Sequence, residues 1–178
     1  AGSRGAAVRF EETMHAAALA RLELEADLRA AITEGQLLLH YQPVADLRSG
    51  HILGVEALVR WMHPTRGMVP PIEFIPLAEE TGLVVAIGEW VLREACRQAV
   101  AWHQANPDRP PVSVAVNLAG SQLQLPAFAD TVAAILRDTG LRAGDLVLEI
   151  TATQIMADVE SIMPNLALLQ ELGVGLSI

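Results

Sequence analysis

The order of apolar and polar positions changes along the chain from a helical period to short apolar runs. Leu24, Leu28 and Ile32 follow one another at four-residue steps within residues 11–32, a stretch without Gly or Pro. Apolar residues at that spacing fall on one face of a helix, so this stretch predicts an amphipathic helix. The helix could connect to a domain upstream or pack on its own domain, and the pattern alone leaves both alternatives open.

Two predicted strands come next, over residues 36–44 and 51–61, with the turn residues Ser49 and Gly50 between them. Strands that are joined by so short a turn pair with opposite directions, so we expect an antiparallel pair. The hairpin is followed by a predicted loop over residues 64–71 and by predicted helices over residues 72–80 and 84–105.

From residue 112 onward, predicted strands and helices alternate. This order is typical of a parallel sheet with crossover helices, and it predicts an α/β fold. The chain stops inside the last predicted strand, where an unpaired edge would be left, so we expect the sequence to be part of a longer chain. The predicted strands are residues 112–117, 145–151 and 174–178, and the helices are residues 127–139 and 158–172.

Composition narrows the classes of function. Hydrophobic residues make up 52% of the 178 residues, which predicts a sizeable core. The net charge of -9 argues against a nucleic-acid polymer as partner, although a bound cation could still attract a small anionic ligand. Cys96 is the single cysteine, and no apolar run reaches the roughly 18 residues of a membrane span. We therefore expect a cytoplasmic domain, whether or not the whole protein is anchored in a membrane.

Polar side chains interrupt or follow the apolar runs where carboxyl ends of strands are expected. Glu56 and Arg60 lie in the second predicted strand, Asn117 ends the next one, and Glu149 comes near the end of the one after it. Two carboxylates and an amide oxygen form the all-oxygen ligand set that Mg²⁺ or Mn²⁺ prefers. The alternative is structural: Glu56 pairs with Arg60, Asn117 closes a turn, and Glu149 begins a helix cap with Thr151.

Four sequence elements occur in the order that is found in the EAL family. Residues 56–61, Glu-Ala-Leu-Val-Arg-Trp, resemble the signature E-A-L-x-R-W, and Tyr-Gln-Pro-Val at residues 41–44 precedes it at the usual place. A single Glu-Ala-Leu tripeptide would often occur by chance, whereas four elements in the family's order over residues 28–178 are specific for the EAL family. The others are residues 63–82, similar to H-P-x-x-G…P-x-x-F-I-P-x-A-E-x-x-G, residues 116–122, similar to V-N-L-S-x-x-Q, and residues 148–151, similar to L-E-[IL]-T-E.

The resemblance implies a fold and a division of the chain. The fold would be an incomplete TIM-like (β/α)8 barrel with an antiparallel first strand, preceded by an N-terminal helix. Residues 1–27 would form a linker helix and residues 28–178 the N-terminal portion of an EAL domain. The start of the chain also resembles the junction that follows a GGDEF domain in tandem proteins, so an upstream GGDEF or sensor domain is an expected partner.

The resemblance also implies an activity, which is hydrolysis of cyclic di-GMP to linear pGpG by two-metal catalysis. By motif, metal ligands would be Glu56, Asn117 and Glu149, with Mg²⁺ or Mn²⁺ as cofactor. Arg60 would hold a substrate phosphate, and Gln42 and Leu58 would line the nucleotide site. A homodimer is a further expected assembly.

Two departures from the family pattern bear on that activity. The family continues after Ile178 with a D-D-F-G element and later with a lysine and a glutamate, so no catalytic residue is expected within this chain and the chain itself is expected to be inactive. Ala152 stands where the L-E-I-T-E element has its second glutamate, and Ala119 stands where V-N-L-S has serine. The alternative function is therefore a degenerate EAL module that binds cyclic di-GMP or a protein partner without hydrolysis.

Overall fold

A computed structural model of the chain describes residues 12–178, which form one mixed sheet and the helices that cover it. The helices are α1 (Glu12–Thr33), α2 (Pro71–Thr81), α3 (Leu83–Ala105), α4 (Gly120–Leu123), α5 (Phe128–Thr139), α6 (Ala152–Ala157) and α7 (Val159–Glu171). The strands are β1 (Leu37–Ala45), β2 (Ile52–His63), β3 (Gly67–Val69), β4 (Ser113–Asn117), β5 (Leu146–Glu149) and β6 (Gly175–Ser177).

The sheet has the strand order β1-β2-β4-β5-β6, with β3 paired to β2. β1 runs antiparallel to β2, whereas β2, β4, β5 and β6 are mutually parallel. The predicted antiparallel hairpin and the predicted parallel alternation are both confirmed. Since the parallel strands all end at the same edge of the sheet, the side chains that follow them are gathered there.

The core lies between one face of the sheet and the helices. Val114, Val116, Leu146 and Leu148 alternate along β4 and β5 and have no exposed surface, because they point towards the helices. Two aromatic pairs lie between the sheet and the helices near the hairpin. The rings of Trp61 and Phe74 pack edge to face with their centroids 5.8 Å apart, and the rings of Tyr41 and Trp102 pack in the same way with centroids 4.7 Å apart. Each such pair adds about 0.5–1.5 kcal/mol to simple burial.

The C-terminal part of α1 packs on its own domain. Leu28 and Ala31 are completely buried, and Asp27 accepts a hydrogen bond from His63 Nε2 at 3.0 Å. The other ring nitrogen of His63 accepts the backbone N–H groups of Thr65 and Arg66, which assigns the proton to Nε2. The pattern of the first helix left its role open, and the structure shows that Leu28 and Ala31 pack in the core with the other helices and the sheet. Residue 11, at the start of the predicted helix, lies outside the described residues.

Short elements differ most from the sequence predictions. The predicted loop over residues 64–71 contains β3, because Gly67 turns the chain with a φ of 71° and returns it alongside residues 61–63 of β2. β5 ends at Glu149 rather than at residue 151, and the predictions did not include α4 and α6. Elements of three to six residues carry too few periodic positions for the sequence pattern to detect. Within residues 12–178, every helix is too short or too polar to be a membrane span.

Candidate active site at the carboxyl ends of the strands

The pairing register places the predicted site residues on one face of the sheet. Gln42 of β1 lies opposite Glu56 of β2, Glu56 lies beside Ala115 of β4, and Asn117 lies beside Glu149 of β5. Residues that are paired in a sheet point to the same side, and so do residues two positions apart in a strand. Gln42, Glu56, Asn117 and Glu149 therefore all point away from the helices.

Leu58 and Arg60 complete this set. They follow Glu56 at steps of two along β2, so they share its face, while Ala57 and Trp61 point into the helical core. The two-residue period along β2 and the register between strands thus bring all six predicted residues to one face. They supply four carboxyl or amide groups, one guanidinium and one apolar side chain.

The side chains of Asn117 and Glu56 are in direct contact. Asn117 Nδ2 donates a hydrogen bond of 2.7 Å to Glu56 Oε1, although the two residues lie 61 positions apart in the sequence. This bond orients the amide, because its nitrogen is committed to Glu56 and its oxygen Oδ1 is left for another partner. The amide oxygen and the second carboxylate oxygen of Glu56 are consequently available to a cation at this edge.

Glu149 lies close enough to Glu56 for the two charges to interact. Burial raises the pKa of Glu149 above its ordinary value, and the negative charge of Glu56 raises that pKa further. Two carboxylates that repel each other at a partly buried edge are stabilised together by a cation between them. With Asn117 as the third oxygen donor, the donor set fits a hard divalent cation such as Mg²⁺ or Mn²⁺. Within residues 12–178, no group of three His, Cys, Asp or Glu side chains forms a metal site without the amide.

A cavity of about 320 Å³ adjoins these groups, between the ends of β2 and β4 and the helices α2 and α3. Its walls include Leu58, Arg60 and Asn117 from the predicted site, and Ile75 and Ile87 from the helices. Arg60 Nη1 donates to the Val59 carbonyl at 2.8 Å, which anchors one end of its guanidinium and leaves further N–H groups to face a ligand. The cavity thus combines an apolar wall with a cationic group.

Two glutamines hold the loops that follow β4 and β5, Gln122 within the first loop and Gln154 between the two. Gln122 is buried, and its Oε1 accepts the Ala119 N–H at 3.1 Å. The carboxamide of Gln154 accepts the Thr151 N–H at 2.9 Å and donates to the Leu118 carbonyl at 3.0 Å. These bonds secure the chain immediately after Asn117 and Glu149.

None of the three structural alternatives is observed. Arg60 binds a backbone carbonyl, and no ion pair joins it to Glu56. Asn117 bonds to Glu56 across the sheet instead of closing a turn. Thr151 is the N-cap of α6 and accepts the Gln154 N–H at 3.3 Å, so the cap does not use Glu149.

Gln154 is the residue at this edge that the sequence predictions missed. Its signal was present, since Thr151-x-x-Gln154 has the form of a capping box that begins at the last residue of a predicted strand. A capping box predicts bonds within its own helix, however, and gives no indication of the bond to Leu118, which lies 36 residues away. Only the folded chain shows that this side chain joins two loops.

Comparison with known proteins gives consistent results. The EAL domain family matches residues 25–178. In Pseudomonas aeruginosa, the bifunctional diguanylate cyclase/cyclic di-GMP phosphodiesterase MucR is 43% identical over 95% of this chain, and the cyclic di-GMP phosphodiesterase NbdA is 41% identical over 95% of it. The chain spans 24% and 21% of the lengths of these two relatives.

A solved structure confirms the fold class. The PaMucR phosphodiesterase in complex with c-di-GMP superposes with a TM-score of 0.82 at 43% identity, over 88% of this chain and 62% of the solved chain. The predicted α/β fold, an incomplete TIM-like barrel with an antiparallel first strand and a preceding helix, is confirmed by this likeness.

Proposed function

Because the chain belongs to the EAL domain family, we propose that it acts in hydrolysing cyclic di-GMP to linear pGpG as part of a metal-dependent phosphodiesterase. The observation that carries the proposal is the 2.7 Å bond between Asn117 and Glu56, with Glu149 next to Asn117 in the register. It brings three oxygen donors from three strands to the edge where parallel α/β sheets bind their ligands.

We assign Glu56, Asn117 and Glu149 as the ligands of a divalent cation, Mg²⁺ or Mn²⁺. When bound, such a cation neutralises charge on phosphoryl oxygens and lowers the pKa of a coordinated water. The chain's own contribution is to keep the three donors oriented: Glu56 holds the Asn117 amide, and the ladder between β4 and β5 holds Asn117 beside Glu149.

We assign Arg60, Leu58 and Gln42 to the dinucleotide. A guanidinium offers planar, charge-assisted hydrogen bonds to a phosphate, and Arg60 lies on the same face as the cation ligands. Leu58 contributes to the cavity of about 320 Å³, whose apolar wall suits a planar base. Gln42, opposite Glu56 in the register, has an exposed carboxamide at the rim of this face.

The proposal includes an organisation for the whole protein. Residues 1–27 act as a linker to an upstream GGDEF or sensor domain, and residues 28–178 belong to the EAL domain, which works in the cytoplasm and forms a homodimer. The name of MucR, a bifunctional diguanylate cyclase and phosphodiesterase, supports a GGDEF neighbour. The burial of Leu28 and Ala31 supports a boundary at that part of α1.

One observation favours a second candidate function, which is binding of cyclic di-GMP without hydrolysis. Ala152 begins α6 three residues after Glu149, and its methyl group supplies no hydrogen-bond acceptor. Where a glutamate is expected by motif, this loop therefore lacks an anionic group that could hold neighbouring loops at the site. A module of this kind would keep Arg60 and Leu58 for the ligand and lose turnover.

The test is chromatographic detection of pGpG after incubation of the intact protein with cyclic di-GMP and Mg²⁺ or Mn²⁺. The unmodified protein is compared with Ala152→Glu and with Thr153→Glu, which adds the same charge one residue further along the exposed surface of α6. Glu149→Gln removes one ligand charge, so it serves as the variant that is expected to lose turnover.

Turnover by the unmodified protein that Glu149→Gln abolishes would establish the phosphodiesterase. Turnover that appears with Ala152→Glu but not with Thr153→Glu would identify a silenced enzyme, and the natural protein would then be a binding module. Absence of turnover in all variants, with cyclic di-GMP still bound, would also support the second function over the first.

A further inference from the structure

The carboxamide of Gln154 bridges the two loops that carry the candidate cation ligands. Its Oε1 accepts the N–H of Thr151 at 2.9 Å, two residues after Glu149, and its Nε2 donates to the carbonyl of Leu118 at 3.0 Å, directly after Asn117. Both hydrogen-bonding ends of one side chain are therefore used, one on each loop.

The bridge continues the sheet beyond its last strand pair. The β4–β5 ladder ends at Asn117 and Glu149, with one more bond from the Leu118 N–H to the Glu149 carbonyl at 2.9 Å. Past that point β5 gives way to α6, so no strand offers an N–H to the Leu118 carbonyl. Leu118 is 5% exposed, and an unpaired carbonyl at so buried a residue would destabilise the fold. Gln154 supplies the missing donor.

The stem of Gln154 also lies against the start of α4. A Cβ placed on Gly120 would meet the Cβ and Cγ atoms of Gln154 at 3.5 Å, which is ordinary van der Waals contact. Gln154 thus reaches over the loop between β4 and α4 by packing as well as by hydrogen bonding. The exposed Ala152, two residues before it, makes no polar side-chain contact of this kind.

We propose that Gln154 is a positioning residue, which sets the spacing between Asn117 and Glu149 and so keeps the cation ligands together in a chain that has alanine at position 152. This inference rests on the proposed function. Its chemical basis is that a carboxamide has both a donor and an acceptor. Glutamate retains an acceptor for Thr151 but loses the donor to Leu118, and leucine retains neither.

The experiment uses the intact protein with Gln154→Glu, Gln154→Leu and the control Gln170→Leu, which removes an exposed glutamine from α7. Binding of Mn²⁺ is measured from the paramagnetic resonance of the free ion, and binding of cyclic di-GMP is measured in the presence of a chelator. Both Gln154 variants are expected to weaken Mn²⁺ binding by about 10–100-fold, the range found for residues that orient ligands. For Gln154→Leu, which adds no charge, metal-free dinucleotide binding is expected to change less than twofold. In the control Gln170→Leu, binding of Mn²⁺ and of the dinucleotide is expected to change less than twofold.

The glutamate variant makes the result specific. The added negative charge would by itself strengthen cation binding, so weaker binding of Mn²⁺ to Gln154→Glu can only come from displaced ligands. If both Gln154 variants bound Mn²⁺ as tightly as the unmodified protein, or more tightly, the positioning role would be overturned.

Hydrogen exchange gives a readout that does not depend on the cation. Loss of the bridge is expected to speed amide exchange in both segments, residues 113–124 and 146–157, whereas Gln170→Leu leaves both unchanged. Faster exchange in residues 146–157 alone would mean that Gln154 only caps its own helix, and it would contradict the positioning role. If the unmodified protein bound no Mn²⁺ while both segments responded, the cation site would be wrong and the bridge between the loops would stand.

Discussion

Two titratable side chains outside the candidate site, Cys96 and Tyr41, report how closely α3 packs on the sheet. Cys96 is fully buried in α3, and burial raises the pKa of its thiol to about 12, against a smaller opposite effect of the positive charge on Arg93. Burial also raises the pKa of Tyr41 to about 12, and the negative charge of Glu94 adds to it. Both groups are uncharged at neutral pH, so neither is a nucleophile in the native protein.

These two residues predict how stability depends on alkaline pH. Their native pKa values lie above the ordinary values of 9.0 and 10.0, so the native state holds their protons more firmly than the unfolded state does. The contribution of these two groups to the free energy of unfolding should therefore be constant at neutral pH and should fall as the pH rises above about 9. Urea unfolding at pH 7, 8.5 and 10 measures this. In the double variant Cys96→Ala/Tyr41→Phe, the free energy of unfolding should fall less between pH 8.5 and pH 10. An equal fall in that variant would contradict the raised pKa values of Cys96 and Tyr41.

At the scale of elements, α3 and the loop before α4 meet through a glycine. Gly88 lies on the buried side of α3, and the carboxamide of Gln122 occupies the space where a Cβ would be. That close approach lets Gln122 reach the Ala119 N–H, so a helix, a loop and the end of β4 are joined at one point. Here glycine is required for space rather than for an unusual backbone angle.

We predict that Gly88→Ala lowers the free energy of unfolding by about 1–3 kcal/mol, because an added methyl group would overlap the Gln122 carboxamide. Gln122→Ala alone should also destabilise, since it leaves the Ala119 N–H without its partner. In the double variant the overlap is gone, so the two losses should not add. A urea-unfolding double-mutant cycle measures the coupling, and strictly additive losses would show that the contact is unimportant.

At the scale of the whole molecule, the sheet holds charged and polar groups on the face that the helices do not cover. The helical face is filled by residues such as Val114 and Leu148, while the opposite face presents Glu56, Asn117 and Glu149. Repulsion between the two carboxylates opposes folding, and a bound cation would remove it. The stability of the domain should therefore be linked to the cation.

We predict that Mn²⁺ raises the melting temperature, with a stabilisation of about 2.7 kcal/mol when its concentration is 100-fold above the dissociation constant. A chelator should reverse the effect. Glu149→Gln should be more stable than the unmodified protein without metal, because a repelled, half-buried charge is removed, and it should gain little from Mn²⁺. Arg60→Lys is the control, since Arg60 is assigned to phosphate. A gain of stability with Mn²⁺ in Glu149→Gln equal to that of the unmodified protein would contradict the ligand assignment.

The sequence by itself determined the long elements and the identity of the candidate site residues. Helical spacing predicted α1, α3, α5 and α7, and the apolar runs predicted β1, β2 and β4, because long segments repeat their pattern often enough to be recognised. The two-residue period of a strand is enough to put Glu56, Leu58 and Arg60 on one face of β2. Their places near the ends of predicted strands selected Asn117 and Glu149, and motif resemblance agreed with that choice.

Only the tertiary structure decided how these residues meet. The bond from Asn117 to Glu56, the bridge from Gln154 to Leu118 and the contact of Gly88 with Gln122 join residues that lie 61, 36 and 34 positions apart in the chain. Such contacts depend on strand order, on register and on the path of each loop, which are set by packing of the whole sheet and helix layer rather than by any local pattern. The same limit applies to β3 and α6, whose few residues take their conformation from the strands and side chains that they contact.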